Sequence, residues 1–358
     1  MGALRKRSLS GPIAIEAPRG PLSDPEHHPK LQIPIPEIPP FVPARGMANR
    51  HLQTIIGTFF QQKVKLVGTT QRKLRLEDDD FLILHDDRPS VWNPGDHVVL
   101  LLHGLTGCHQ SGYMVRTGAK LFERGVRVFR MDHRGCGAGA SLAKQPYHAG
   151  RTEDLDAAIR LIERLCPGSP ISLAGYSISG NLVLKYLGDY ADSVPFSLFR
   201  AVAVCPPVDL RHSVESLDQG HIRRQYNSYF TRLLLNTVTH GPLWRPDVPL
   251  AKALRMPKRL FEFDDLYTAP ASGYDSALHY YEAASSLSVL SRIRVHTTIL
   301  AAQDDPLVCP QPLLDARLPT NVRMYMTQYG GHLGFLARRG TDPDCRWMDW
   351  RVINWLLE

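Results

Sequence analysis

Short apolar runs alternate with helical patterns through most of this chain, and this alternation restricts its fold more than any other feature. The runs lie at residues 98–103, 126–132, 171–175, 201–205, 297–302 and 322–327. Each is mainly apolar and bounded by turn residues, which is typical of strands buried on both faces of a sheet. Helical patterns at 114–124, at 152–166 and from 177 onward lie between them. The alternation predicts an α/β fold, a mostly parallel sheet covered by helices.

The two ends of this pattern set the predicted domain organisation. Residues 1–45 contain ten prolines, which fix φ and remove backbone donors, so this arm is predicted to be partly disordered. Strand patterns at 71–76 and 81–85 flank an acidic turn and predict an antiparallel hairpin that leads into the sheet. Residues 46–358 are then one domain. The strand–helix alternation is interrupted at about 211–285, and we interpret this stretch as a helical cap.

The net charge of +7 raises the question of a nucleic-acid partner. Lysines and arginines are scattered along the chain, and no DNA- or RNA-binding motif accompanies the densest cluster, at residues 5–7. We therefore predict no nucleic-acid partner. A basic surface attracts anionic lipid weakly, so peripheral membrane contact is the expectation that the charge supports.

Cysteine spacing and hydropathy limit the other classes of site and location. The six cysteines lie far apart and form no CxxC pair, so we predict neither a metal site nor disulfides. No stretch approaches the ~18 apolar residues of a membrane-spanning helix. No apolar segment follows the basic N-terminus, as a signal peptide requires. A cytoplasmic location is therefore expected.

A candidate nucleophile lies in the sequence Gly-Tyr-Ser-Ile-Ser-Gly-Asn at residues 175–181. It follows a strand pattern and precedes a helical one, and this strand–turn–helix context is what a nucleophile elbow requires. Ser177 is the predicted nucleophile. Ser179 occupies the position that is usually glycine. The alternative is that Ser177 only caps the helix.

Two backbone amides are predicted to bind an oxyanion. One belongs to Ile178, the residue after the candidate nucleophile, and the other to Leu105 in the His-Gly-Leu-Thr-Gly sequence at 103–107. Glycines in this loop allow the backbone to approach a substrate closely. The alternative is an ordinary strand-to-helix turn.

The remaining members of a catalytic triad follow in the order Ser, Asp, His, which is the order of α/β-hydrolases. His332 lies among three glycines after the last strand pattern and is the predicted general base. Asp304 and Asp305 both follow the strand pattern at 297–302. Neighbouring side chains point apart, so only one can orient the histidine. We favour Asp305, and Asp304 remains the alternative.

Other motifs receive weaker interpretations. The glycine-rich loop at 134–139 lacks the features of a nucleotide site, so we predict no cofactor. Tyr226, Tyr229, Phe230 and residues 233–235 either line an acyl groove or form the packed face of a cap helix. His51 is interpreted as structural.

Several stretches of the chain resemble the YheT-like branch of the α/β-hydrolases, also called the AB-hydrolase 4 family. They include NRHLQTI (49–55), HGLTG (103–107), MDHRGCG (131–137), GYSISGN (175–181), FDDLYTAP (263–270), AAQDDPLV (301–308) and GGHLGF (330–335). The resemblance implies an α/β-hydrolase fold, the triad Ser177, Asp305 and His332, and carboxylic-ester hydrolysis. Some members act as lipid esterases, acylglycerol lipases or alcohol acyltransferases. The family commonly has glycine at the position of Ser179.

These observations predict a serine hydrolase that cleaves short-chain, medium-chain or lipid acyl esters without a metal or organic cofactor. One alternative is an alcohol O-acyltransferase, which uses the same triad. An alternative of another class is a non-catalytic binding protein on a hydrolase scaffold.

Overall fold

The computed structural model describes residues 38–59, 66, 68–340 and 342–358, hereafter the described residues. The predicted disorder of the proline-rich arm falls mainly on residues 1–37, outside this part of the chain. Just after them, the Phe41 ring packs against Phe335 and Trp347. Pro43 bridges Ala337 in antiparallel fashion. The start of the described chain is thereby held against residues close to its C-terminal end.

Eight strands form one sheet, in the order β1-β2-β4-β3-β5-β6-β7-β8. β1 pairs antiparallel with β2, and β2 with β4, whereas all other neighbours are parallel. The predicted fold class is confirmed, including the antiparallel hairpin at its start. The strands are β1 (Thr70–Arg75), β2 (Phe81–Asp87), β3 (Val98–Leu102), β4 (Arg127–Asp132), β5 (Ile171–Tyr176), β6 (Leu198–Val204), β7 (His296–Ala302) and β8 (Val322–Thr327).

Helices form within a few residues of the three predicted positions, at 114–124, at 152–166 and from 177 onward. The α-helices of the described residues are α1 (Arg50–Phe59), α2 (Gly112–Phe122), α3 (Thr152–Leu165), α4 (Ile178–Asp189), α5 (Leu210–Leu217), α6 (His221–Thr239), α7 (Leu260–Phe263), α8 (Ala269–Ala271), α9 (Ala277–Ala284), α10 (Gln311–Leu314) and α11 (Trp347–Leu357). Short 3₁₀ segments lie at Gly137–Gly139, Pro249–Lys252 and Leu287–Arg292, and a π-helical turn at Asp264–Thr268. None of the helices within the described residues is long and apolar enough to cross a membrane.

The core explains why the apolar runs were the dominant sequence signal. All five residues of β3 and all six of β5 are buried, as expected of central strands with helices on both faces. Because β3, β5, β7 and β8 run parallel, their carboxyl ends lie at one edge of the sheet. The loops that carry Leu105, Ser177, Asp305 and His332 all leave the sheet at this edge.

Helices α5 to α9 lie between β6 and β7, in the stretch interpreted as a cap. Their buried apolar side chains, including Leu210 and Tyr280, form a cluster with Leu307 from the loop after β7. Leu105 and Ile178 pack against this cluster. The helical stretch therefore covers the edge of the sheet where the candidate site residues meet.

Candidate active site

Ser177 lies in the turn between β5 and α4, with φ 55° and ψ −121°. A positive φ is rare for serine and marks a backbone held by its surroundings. Gly175 makes the turn possible, since a Cβ there would lie 2.2 Å from the Ser179 carbonyl oxygen. The Ser177 amide donates to Val204 O at 2.8 Å. The turn therefore has the sharp strand-to-helix geometry of a nucleophile elbow.

Ser179 occupies the position that is usually glycine, and its side chain forms hydrogen bonds beside the turn. Its hydroxyl is buried, donates to His103 O, and lies 2.7 Å from Nε2 of His133. The residue thus ties the elbow to the end of β3, just before the loop that carries Leu105. A glycine here would leave these groups without that partner.

His332 lies between the serine and a carboxylate. Its Nε2 is 2.9 Å from Ser177 Oγ, and its Nδ1 is 2.8 Å from Asp305 Oδ2. The His332 amide donates to Thr54 Oγ1 on α1 at 2.9 Å. Gly331, with φ 57°, allows this close approach, since a Cβ there would be 2.7 Å from Thr54 Oγ1. The imidazole is thus held from two directions.

The two adjacent aspartates have different surroundings. Asp305 Oδ1 accepts from the amides of Leu307 at 2.8 Å and Val308 at 2.9 Å, which leaves Oδ2 for the imidazole. Asp304 Oδ1 accepts instead from the Gly331 amide at 2.9 Å. Burial raises the pKa of the Asp304 carboxyl. Of the two, Asp305 is the one in hydrogen-bond contact with His332.

Leu105 and Ile178 border the same cavity as Ser177. Gly104 N donates to Tyr113 OH, and Thr106 N donates to Tyr147 OH, both at 2.9 Å, so the loop is pinned on either side of Leu105. A Cβ on Gly104 would be 3.2 Å from Ser177 Cβ, which shows how closely the loop approaches the serine. Within the described residues, neither the Leu105 nor the Ile178 amide donates to a protein acceptor. Both are available to an oxyanion beside Ser177.

A cavity of about 380 Å³ opens onto these groups. Ser177, His332, Leu105 and Ile178 all border it. Most of the rest of its lining is apolar or aromatic and includes Tyr226, Tyr229, Phe230, Leu233 and Leu234 from α6. Leu235 packs instead with an apolar cluster around Val238 and Tyr267. The other five α6 side chains singled out in the sequence thus line a groove. The Nδ1 of His51 lies 3.2 Å from the hydroxyl of one of them, Tyr226.

Two groups of side chains are close enough in the described residues to share a metal ion. In the first, His85 Nε2 and His109 Nδ1 lie 3.0 and 2.7 Å from Asp132 Oδ2. The same oxygen accepts from Ala138 N at 2.9 Å. Although burial opposes ionisation, these hydrogen bonds hold the pKa of Asp132 well below its usual value. The second group is Cys205 with Asp305 and His332. Hydrogen bonds within the protein account for the carboxylates of both groups.

Two residues close to the Ser177–His332–Asp305 chain were not predicted from the sequence. Thr54, which holds the His332 backbone, belongs to the NRHLQTI stretch, but only His51 was singled out there. Cys205 is buried with φ 49°, and its sulfur lies within 4.8 Å of side-chain atoms of Asp305 and His332. No local pattern marks either residue, because both act through contacts between distant segments.

The arrangement can carry out nucleophilic chemistry. An imidazole 2.9 Å from a serine hydroxyl can accept its proton, and a carboxylate on Nδ1 orients the ring and stabilises its charged form. Two free amides beside the hydroxyl can stabilise negative charge on a substrate oxygen.

Comparisons with known proteins concern the family and the fold of this chain. The family model described as alpha/beta hydrolase fold matches residues 97–338. YheT of Escherichia coli (strain K12), named as a candidate esterase, is 32% identical over 88% of this chain and 92% of its own length. "Phospholipase ABHD3" of Mus musculus is 31% identical over 73% of this chain, which spans 63% of that protein. Among solved structures, the Pyrococcus furiosus esterase Pf2001 superposes with a TM-score of 0.52, covering 81% of this chain and 92% of that one. At 17% identity, that likeness concerns the fold alone.

Proposed function

This protein belongs to the α/β-hydrolase family, in its YheT-like branch, and from that premise we propose that it hydrolyses carboxylic esters through an acyl-enzyme on Ser177. The observation that carries the proposal is the hydrogen-bonded chain Ser177–His332–Asp305 at the wall of an apolar cavity. The names of the relatives, an esterase and a phospholipase, support the same reaction class.

Each group in the chain has a defined part in the proposed reaction. His332 Nε2 accepts the hydroxyl proton as Ser177 Oγ attacks the ester carbonyl carbon. The amides of Leu105 and Ile178 stabilise the resulting oxyanion. His332 then gives its proton to the leaving alkoxide, which departs as the alcohol. A water molecule attacks the acyl-enzyme by the reverse proton path and releases the acid.

The cavity suggests which esters fit. Its volume of about 380 Å³ lies at the lower end of the range of small-molecule sites, roughly 300–1,000 Å³. The described residues that line it include no lysine or arginine. We propose short- or medium-chain acyl groups, with the chain lying against the α6 groove, as the preferred substrates.

The basic helices α1 and α6 support the proposed peripheral membrane contact. Both border the cavity, and their sequences contain four arginines but no acidic residue. In the described part of the chain, none of these arginines forms an ion pair with a carboxylate. Leu52 and Ile222 are exposed on the same two helices. Positive charge beside exposed apolar side chains suits an anionic bilayer surface, from which lipid esters could enter. The arginines are Arg50, Arg223, Arg224 and Arg232.

Activity-based labelling tests the proposed nucleophile. A fluorophosphonate probe should label the wild-type protein and should not label Ser177→Ala, because an activated serine displaces fluoride from the probe and becomes phosphonylated. Ser213→Ala is the matched control, since Ser213 also borders the cavity but donates to Asp209 O. Wild-type protein that stays unlabelled would instead support a non-catalytic scaffold. Product analysis of p-nitrophenyl ester turnover with ethanol present separates hydrolysis from acyl transfer.

A further inference from the structure

One carboxylate in the cavity wall takes no part in the proposed reaction. Asp264 is the single acidic residue among the described lining residues. It begins the π-helical turn Asp264–Thr268, and such turns are frequent at functional sites. The turn and the residue before it place Phe263, Asp264, Tyr267 and Thr268 on the cavity wall.

Asp264 is partly buried in the cavity wall, and its partners differ from those of the buried aspartates. Tyr281 OH donates to Asp264 Oδ2 at 2.7 Å. Among the described residues, no lysine, arginine or histidine forms an ion pair with it. Four buried aspartates elsewhere have arginine partners: Asp86 with Arg127, Asp87 with Arg130, Asp154 with Arg134, and Asp349 with Arg116. Two others, Asp132 and Asp305, have histidine partners instead. A carboxylate removed from water is costly unless a positive charge compensates it, and at Asp264 the described residues supply only hydroxyl donors.

The surroundings of Asp264 also suit a positive charge. Phe263 and Tyr267, with ring centroids 5.4 Å apart, border the cavity together with Tyr280 and Tyr281. Aromatic faces attract ammonium groups, most strongly where water is excluded. Burial raises the pKa of Asp264 to about 6, against the opposing effect of its hydroxyl donors. At neutral pH the Asp264 carboxyl group is still mainly ionised. A bound cation would therefore compensate its charge in place of the water that burial removes.

We propose that Asp264 and the surrounding aromatic rings form a subsite for an ammonium group, so that the cavity accepts esters that carry an alkylammonium cation. The inference rests on the proposed function for its reaction, but the binding step does not depend on turnover. An ammonium group near Asp264 would compensate the carboxylate while its alkyl groups contact the rings.

The test compares two esters of the same shape that differ in charge. Butyrylcholine and 3,3-dimethylbutyl butyrate differ only in the replacement of the quaternary nitrogen by carbon. Binding is measured by calorimetry on Ser177→Ala protein, which keeps the esters intact whether or not the wild type hydrolyses them. We expect the cationic ester to bind about tenfold more tightly. Equal affinity, or tighter binding of the neutral ester, would overturn the proposal.

A second variant locates the selectivity. Adding Asp264→Asn to Ser177→Ala keeps the shape of the side chain and removes its charge, so the ratio of the two affinities should fall to near one. Asp265→Asn is the matched control, since Asp265 lies on the same turn but accepts from Ala277 N, at 2.9 Å, and does not border the cavity. An unchanged ratio in folded Asp264→Asn protein, or an equal loss in Asp265→Asn, would contradict the assignment. If the Ser177→Ala protein binds the cationic ester selectively but the wild-type protein is not labelled at Ser177, the proposed function is wrong and the ammonium subsite stands.

Discussion

Replacement of Asp305 by asparagine should nearly abolish activity, and the hydrogen bonds at this residue show why. Oδ1 accepts from two amides, those of Leu307 and Val308, and only an oxygen can take that place. The asparagine NH₂ group must then replace Oδ2, 2.8 Å from Nδ1 of His332. This group donates, so Nδ1 must lose its hydrogen and the imidazole proton moves to Nε2.

An imidazole that carries its proton on Nε2 cannot accept the proton of Ser177. A change of this kind in other triads lowers kcat about 10⁴-fold, equivalent to about 5.4 kcal/mol in the activation free energy. Asp304→Asn is the matched comparison. Its Oδ1 can continue to accept from Gly331 N, so we expect a loss of less than about tenfold.

The assay is kcat on p-nitrophenyl butyrate for both variants, with circular dichroism to verify folding. Asp305 is not the orienting acid if folded Asp304→Asn loses about 10³-fold or more while Asp305→Asn keeps wild-type activity within about tenfold. That outcome would mean that the loop rearranges to bring the first aspartate to the imidazole.

Four further predictions concern stability, chain length, pH and lipid. Arg134→Ala should lower the free energy of unfolding by about 3–5 kcal/mol in urea titrations, because it leaves buried carboxylates unpaired. Arg211→Ala, which removes an exposed ion pair with Glu215, is the control. An equally small change in the free energy of unfolding of both variants would contradict this prediction. Leu234→Trp should shift the kcat/KM optimum from longer to shorter p-nitrophenyl esters, and an unchanged profile would argue against the α6 groove. The folded pKa of Asp264, about 6, lies above its ordinary 3.8, so its stabilising effect is complete below pH 3.8 and is lost as pH rises through 6. Asp264→Asn should therefore remove about 3 kcal/mol of pH dependence from urea unfolding between these values, and a curve parallel to wild type would refute it. Arg224→Glu should weaken co-sedimentation with phosphatidylserine-containing vesicles but not with phosphatidylcholine alone, and equal binding to both by wild-type protein would count against the basic helices.

Local patterns in the sequence were sufficient to predict the α/β-hydrolase fold. The strands β3 and β5 are apolar along their whole length because helices cover both faces of the sheet, and this burial is visible in the residues themselves. The elbow at Ser177 was also predictable, because a sharp strand-to-helix turn requires a residue as small as Gly175 beside it. The order of the candidate residues along the chain then indicated the family.

Contacts between distant segments were decided only by the tertiary structure. The sequence favoured Asp305 but left Asp304 open, and the contact of Asp305 with His332, 27 positions away, distinguishes the two. Thr54 reaches the backbone of His332 across 278 positions, so no local pattern could indicate it. Asp264 looks like one of two surface aspartates until the π-helical turn places it in the cavity wall. Secondary structure follows from neighbours along the chain, whereas the charge and shape of a site depend on which segments the sheet brings together.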